Sequence, residues 1–522
     1  MPSTPSIEPA AATTGGQADS VSRRFASPWL AIALALIVSL PLLVPPVLPL
    51  ADLGGHLGRY AIQLDGGRDP YLAQWYTFRW LLIPNLGVDL VVQLLGPVIG
   101  LEMAVRLAVF TAAFLKAFGI LATSRLVHGR ITPFAVIALP LVYAHSMVYG
   151  FLNYTLSLGL LWCSLALWIA MTARGAIKRR WAVFAAISTV MWTCHLVGWA
   201  LLCIAAGSQE WVRQHDRKGS LIRAAIACIG PLTCLLAPWI IKFLTFQPST
   251  GSGRNEGWFL LGDKFHELSM VFRDRWYGFD TISVAFVVAA IAWALVSRWA
   301  RLDRGLVLAA GITALCVILV PVRLLGSYFA DQRLIEPALV FALLAAGLSG
   351  RGPARLPRIL LLAAVTFAGA RLAANAVSLW QLGNRSAQDL EVLQALPRHA
   401  QMVTLRAMRC PPPMQWTIDR RTHLGGYAVA RRQAFSNDQW DVPGAQLLHV
   451  HNPAAGPYQA DDSQIDYERA CEGHIGVLAK VGRVPSTIPY LWVVWSTHDL
   501  PLAGWMPIAR RGGSVLYRRA TV

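Results

Sequence analysis

Apolar runs about as long as a bilayer crossing recur along most of this chain, and that recurrence limits the fold more than any other feature. A helix needs about 20 mostly apolar residues to span the hydrocarbon core. One such run covers Pro28 to Leu50. Others fall near 103–124, 131–148, 151–172, 221–244, 281–298, 305–322, 334–350 and 357–380. Lipid satisfies no backbone polar group, so runs of this length cross as helices, whose hydrogen bonds are internal. Composition agrees. Of 522 residues, 55% are hydrophobic and 14% charged, against roughly 25% charged in soluble domains. A soluble globular protein, a disordered chain and a fibrous one are excluded. The net charge of +18 then reads as membrane topology, with no nucleic-acid partner expected.

Residues 1–27 form a polar Ser/Thr/Ala/Gly tail ending in Arg23-Arg24, read as disordered and cytoplasmic. The run after it is too long for a signal-peptide core and has no small-residue cleavage site behind it, so it is read as a retained first span. The stretch 181–211 is long for one helix and short for two, and His195 and Gly198 interrupt it. Two short half-crossings meeting near Cys194-His195 would use it well. Charge arbitrates, because Lys and Arg concentrate on the cytoplasmic side. The clusters Arg23-Arg24, Arg125/Arg130, Arg174/Arg180, Arg213/Lys218, Arg298/Arg304 and Arg351/Arg358 share one side only if 181–211 crosses twice. The result is about eleven crossings in a bacterial inner membrane, with the N-terminus cytoplasmic and the C-terminus periplasmic.

The expected fold is an all-α polytopic membrane domain over 28–380, with a large first external loop at 51–102, followed by a small α+β extracytoplasmic domain over 381–522. Strand-like runs in that tail are Gln401 to Arg406, Tyr490 to Trp495 and Ser514 to Tyr517. Cys163, Cys194, Cys203, Cys228, Cys234 and Cys316 lie in or near spans and read as small buried groups. Cys410 and Cys471 are the tail's pair, and an oxidising compartment would favour a disulfide between them. No metal-binding Cys/His spacing appears, and no acidic cluster supports a divalent metal, which is left open as a cofactor.

The loop after the first span carries the chemistry. Asp52, His56, Arg59 and Gln63 are spaced to share one helical face. A carboxylate there can accept a hydroxyl proton, and an arginine can hold a phosphate. Asp52 directly follows an apolar run, where partial burial raises a carboxyl pKa. Gly54, Gly55 and Gly58 are poor helix formers and point to close approach of backbone or ligand. His195 at the proposed break is either a hydrogen-bonded structural group or part of a substrate pocket. Arg106 and Lys116 fall inside a span. The loop Gly251-Ser-Gly253-Arg254-Asn255-Glu256 is a candidate lid.

This plan resembles the GT-C superfamily of membrane glycosyltransferases, which includes the aminoarabinose lipid A transferases and the protein O-mannosyltransferases. The resemblance rests on Asp52 after span one and on the segment Tyr328-Phe-Ala-Asp331-Gln-Arg333-Leu-Ile-Glu336-Pro337 before a late span. Some members have an acidic pair in the first loop. Here Leu53 follows Asp52, and a second acid would have to be Asp65 or Asp69. The resemblance implies a sugar donor linked to polyprenyl phosphate and a glycan, lipid or protein acceptor. It implies that Asp52 acts as base. Arg59, Arg323 and Arg333 become candidates for the phosphate, and His56, Gln63, His195 and Asp331 become further substrate-binding candidates. Two other readings share the membrane plan: a flippase of lipid-linked glycans, and an envelope polysaccharide polymerase or ligase. Neither needs Asp52.

Overall fold

The computed structural model describes residues 27–245, 255–409, 416–442, 446–460, 465–467, 475–496 and 499–520. Cys410 and Cys471, and most of the candidate lid, lie outside them.

The first span starts as helix α1 (Pro28–Ser39), with a proline in its first turn where no N–H is needed. It tightens into a 3-10 turn at Leu40–Leu43 and ends before Pro45-Pro46. Arg106 donates to the carbonyls of Leu42, Pro45 and Pro46, so this intramembrane cation secures the end of the first span. The loop that follows folds into α2 (Leu53–Asp65), α3 (Pro70–Trp75), strand β1 (Tyr76–Phe78) and α4 (Gly87–Ile99). Then come α5 (Leu101–His128), α6 (Pro133–Ala138), α7 (His145–Tyr149) and α8 (Leu152–Ala173). Gly119 of α5 lies against the Trp162–Cys163 backbone of α8, and Gly159 lies against the carbonyl of Ala112. Small residues let two apolar helices meet backbone to backbone.

The ambiguous stretch becomes α9 (Ile177–Cys194) and α10 (Leu196–Lys218), separated by His195 in an extended conformation. The half-crossings expected here are thus two helices of ordinary length. Next are α11 (Leu221–Leu232), α12 (Ala237–Leu244), α13 (Leu261–Ser269), α14 (Tyr277–Val296), β2 (Ala300–Leu302), α15 (Arg304–Leu319), α16 (Gln332–Ala345), β3 (Ala346–Leu348) and α17 (Leu356–Leu390). Among the described residues, five helices are long and apolar enough to cross a membrane: 101–128, 152–173, 221–244, 277–296 and 356–395. Shorter apolar helices at 28–43, 87–99, 133–149 and 304–319 accompany them. Ile222, Val296 and Leu362 expose 74%, 85% and 69% of their surface, as lipid-facing side chains do. Charges inside the bundle are paired, as low dielectric demands. Lys116 on α5 meets Glu336 on α16 at 2.5 Å, and Arg371 on α17 meets Asp280 on α14 at 2.6 Å.

Helix α17 runs ten residues past Trp380, where the composition changes, and carries the chain into the C-terminal domain. That domain contains β4 (Gln401–Met408), α18 (Gly426–Arg432), β5 (Phe435–Ser436), β6 (Leu448–Val450), β7 (Ile465–Tyr467), α19 (Val477–Val481), β8 (Tyr490–Trp495), β9 (Trp505–Arg511) and β10 (Ser514–Arg519). Its sheet runs β5-β4-β8-β10-β9, with β7 also on β4. Strand β4 is parallel to β8 from Met402↔Tyr490 to Ala407↔Trp495, and β10 is antiparallel to β8 and β9. Leu491 to Trp495 are buried without alternation, the mark of a strand covered on both faces.

The first loop and the tail are one structure. Strands β1 and β6 pair antiparallel through Tyr76↔Val450, Thr77↔His449 and Phe78↔Leu448. Helix α2 lies on α18 so closely that a methyl on Gly54 would run into the His423 carbonyl, and one on Gly426 into the Gly54 carbonyl. Gly55 receives the Trp440 indole, and Gly58 receives Gln439. The glycines of α2 are therefore explained by the tail packed on them. It follows that loop 51–102 and the tail lie on the same side of the helices.

Candidate active site

Asp52 stands where the first span gives way to α2. Its amide donates to the Tyr149 carbonyl at 2.9 Å, and the Ala51 amide donates to Val148 at 3.1 Å. Both bonds fix the backbone against α7. Asp52 is the N-cap of α2, where an aspartate usually accepts a helix N–H. This one makes no side-chain cap bond, so its carboxylate is left for the site. Its side chain is 25% exposed. Burial pushes its pKa from 3.8 to about 7, and the positive charge of Arg333 opposes part of that rise.

The remaining side chains of the α2 face separate into two groups. His56 sits near Asp52, its ring 5.2 Å from Trp440 and 6.0 Å from Tyr60. Burial, followed by the nearby Arg59 and His423, holds its pKa well below the usual histidine range, so it is neutral. Arg59 and Gln63 turn toward α4. Arg59 forks onto Asp89 at 2.6 and 3.2 Å. Gln63 donates to the Asp89 carbonyl at 2.9 Å and to Gln93 at 3.1 Å. These two residues form a buried seam between α2 and α4 and do not form a phosphate-facing surface. Asn153 completes it by donating to Asp89 at 3.1 Å and accepting from the Val88 amide at 2.6 Å.

Of the candidates named in the late segment, Arg333 approaches the site, and Asp331 and Arg323 do not. The Arg333 guanidinium lies 4.4 Å over the Phe151 ring and donates to Ser327 Oγ at 2.9 Å. Among the described residues no carboxylate pairs with it, and Asp52 is the acid whose charge it feels. Asp331 is held by Lys264 at 2.9 Å and caps the amide of Gln332 at 2.9 Å. Arg323 stays in the turn 323–327, 3.8 Å from Glu256 and over the Tyr328 ring. His195 caps α10 by accepting the Val197 amide at 3.2 Å. Its ring meets Tyr154 edge-on at 5.3 Å, and the Tyr154 hydroxyl donates to the Arg333 carbonyl. His195 thus supports Arg333 through Tyr154.

Several site residues gave no sequence signal. His423 Nε2, from the tail, lies 3.8 Å from Asp52 Oδ1, and the His423 ring stands 4.7 Å from Trp440. Glu267 on α13 hydrogen-bonds Gln332. Burial and the neighbouring Asp331 raise its pKa to about 7. A narrow cavity lined by His145, Ser146, Phe151, Glu267, Arg333 and Glu336 opens beside it. Among the described residues, no group of three or more His, Cys, Asp or Glu side chains converges to hold a metal ion.

This site combines a carboxylate that titrates near neutrality with a guanidinium that has no acid partner among the described residues. Phe151 and Tyr154 lie against the guanidinium, and Trp440 packs on His56 and His423. No family model matches the chain, and no curated protein matches it significantly. Its backbone is similar to solved structures of ArnT from Cupriavidus metallidurans. One is bound to undecaprenyl phosphate and one is in the apo state. Each is 15% identical, with a TM-score of 0.47 over 94% of this chain and 97% of that one.

Proposed function

We propose that this chain is a membrane glycosyltransferase of the GT-C type. It moves a sugar from a polyprenyl-phosphate donor to a hydroxyl of a glycan, lipid or protein at the periplasmic face of a bacterial inner membrane. The observation that carries this reading is Asp52. Its carboxylate makes no helix-cap bond, titrates near neutrality and lies within the charge influence of an arginine that no acid pairs with among the described residues.

In the proposed reaction Asp52 accepts the acceptor's hydroxyl proton as the oxygen bonds to the sugar's anomeric carbon. The bond from that carbon to the phosphate oxygen breaks, and polyprenyl phosphate leaves with the electron pair. A base works best when its pKa lies near the working pH. The leaving phosphate gains charge, and the Arg333 fork supplies donors matched to it. Arg59, Arg323 and Asp331 are engaged by Asp89, Glu256 and Lys264, so the phosphate role falls to Arg333. The prenyl chain lies along the apolar helices. The cavity by His145 and Glu267 borders the proposed sugar position.

Titrating purified protein with undecaprenyl phosphate tests the donor half of this reading. Arg333→Gln is expected to weaken binding at least about tenfold, the scale of a lost charge-assisted pair, while Asp52→Asn keeps it. Equal binding by wild type and Arg333→Gln would remove Arg333 from the site.

A further inference from the structure

The tail touches the first loop at consecutive points. Arg420 donates to the Pro49 carbonyl at 3.4 Å and also binds Asp274. Thr422 Oγ1 donates to the Ala51 carbonyl at 3.2 Å. The next residue is His423, whose ring nitrogen is 3.8 Å from the Asp52 carboxylate. The turn is fixed on its other side as well, because the Gly426 amide donates to the His423 carbonyl at 3.3 Å and Gly54 lies against that carbonyl. Trp440 packs on the ring at 4.7 Å and is itself packed on His56 at 5.2 Å. Arg420 spends its donors on the Pro49 carbonyl and on Asp274, and Thr422 spends its donor on the Ala51 carbonyl. His423 directs its side chain at the carboxylate.

We infer that His423 is a positioning residue for Asp52, so that the C-terminal domain is part of the reaction centre and not only a brace for the membrane helices. The inference rests on Asp52 being the base. A buried imidazole held neutral offers an N–H to one carboxylate oxygen, which leaves the other oxygen for the acceptor hydroxyl. His423 is such a group, since burial lowers its pKa to about 3. Hydrogen bonding to the charged form of an acid favours that form. At 3.8 Å the two groups stand just beyond direct hydrogen-bond length, and a small side-chain rotation closes the bond, adding to the opposition that Arg333 on α16 gives to the desolvation of Asp52. The other titratable groups around the pair are His56 on α2, Tyr149 on α7, and Arg273 and Glu267 beyond Tyr149.

Infrared difference spectroscopy of purified full-length protein tests this without a substrate. The Asp52 carboxyl band is assigned by its loss in Asp52→Asn, and its titration is followed from pH 4 to 9. The wild-type midpoint is expected at about 7. His423→Phe keeps the ring volume and loses the donor, and it should raise the midpoint by about one unit, the scale of one hydrogen bond to a charged group. His423→Gln keeps a donor and should return the midpoint toward wild type. Thr422→Val, which loosens the same interface without touching the carboxylate, should leave it unmoved. An unchanged midpoint in His423→Phe would overturn the inference. If that variant does not fold, an unchanged midpoint in His423→Ala, or an equal shift in Thr422→Val, would do so. Failure of the broader reading looks different: Asp52→Asn would retain sugar transfer whatever the midpoints show.

Discussion

At the residue scale, the proposed function turns on a carboxylate kept from its usual partners. An aspartate at a helix N-cap is ordinarily stabilised as an anion by the helix N–H groups. Asp52 forgoes that bond and sits half-buried, so its proton is held up to about 7. Transfer is therefore expected to rise as pH increases through about 7 and to level off above it, because the base must be ionised. A rate–pH profile checks this; an acid limb near 4 would mean an unperturbed Asp52. The same shift has a thermodynamic consequence. A carboxyl whose folded pKa exceeds its unfolded value binds more protons when folded, so stability declines as pH rises from about 4 to 7. Asp52→Asn should accordingly melt higher than wild type at pH 8 and show no such gain at pH 4, which thermal unfolding in detergent reads directly. Asp52 stood out in the sequence because an acid directly after an apolar run is unusual. His423 was not, since it approaches from 371 residues away in sequence and nothing local to Arg421-Thr422-His423-Leu424 marks its partner.

At the element scale, α2 is the hinge between membrane and tail. Its helical face was readable from spacing, but spacing cannot say what a face meets. One end of the face meets the reaction site and the other meets α4, which is why Arg59 and Gln63 serve packing. Arg59→Ala would leave the buried Asp89 charge without its pair, a loss of about 3–5 kcal/mol for buried pairs in general. It should lower expression and melting temperature, and Arg59→Ala/Asp89→Ala together should recover part of the loss. The glycine signal was equally real and equally incomplete. Gly54 requires close backbone approach, and the backbone proved to be that of Gly426 and His423. Gly54→Leu should separate α2 from α18 and abolish activity with the membrane helices still folded. Protease sensitivity of the tail, measured beside helical content, separates these effects. Similarly, the break at His195 was visible as an interruption in an apolar run. Its task of capping α10 and packing on Tyr154 depends on neighbours that hydropathy does not locate.

At the scale of the whole molecule, the chain places a small sheet domain on the loop that follows the first apolar helix of a helical membrane body and brings residues of both together around Asp52. The class of fold was legible because bilayer-length apolar runs leave few alternatives. The tail's main strands were legible because buried strands are rich in β-branched and aromatic residues. The union of the parts was not legible, since the β1–β6 pairing involves three residues on each side and carries no sequence signature. In the proposed function, Asp52 is the base for transfer of a sugar from a prenyl-phosphate donor. The measurement that tests it most directly is mass-spectrometric profiling of envelope glycans, lipid-linked intermediates and glycoproteins. Cells making wild type or Asp52→Asn at equal expression are compared. The mutant is expected to lose one sugar modification while its prenyl-phosphate donor accumulates. An identical profile in the mutant, alongside an altered one when the whole gene is deleted, would contradict it and favour a flippase or ligase.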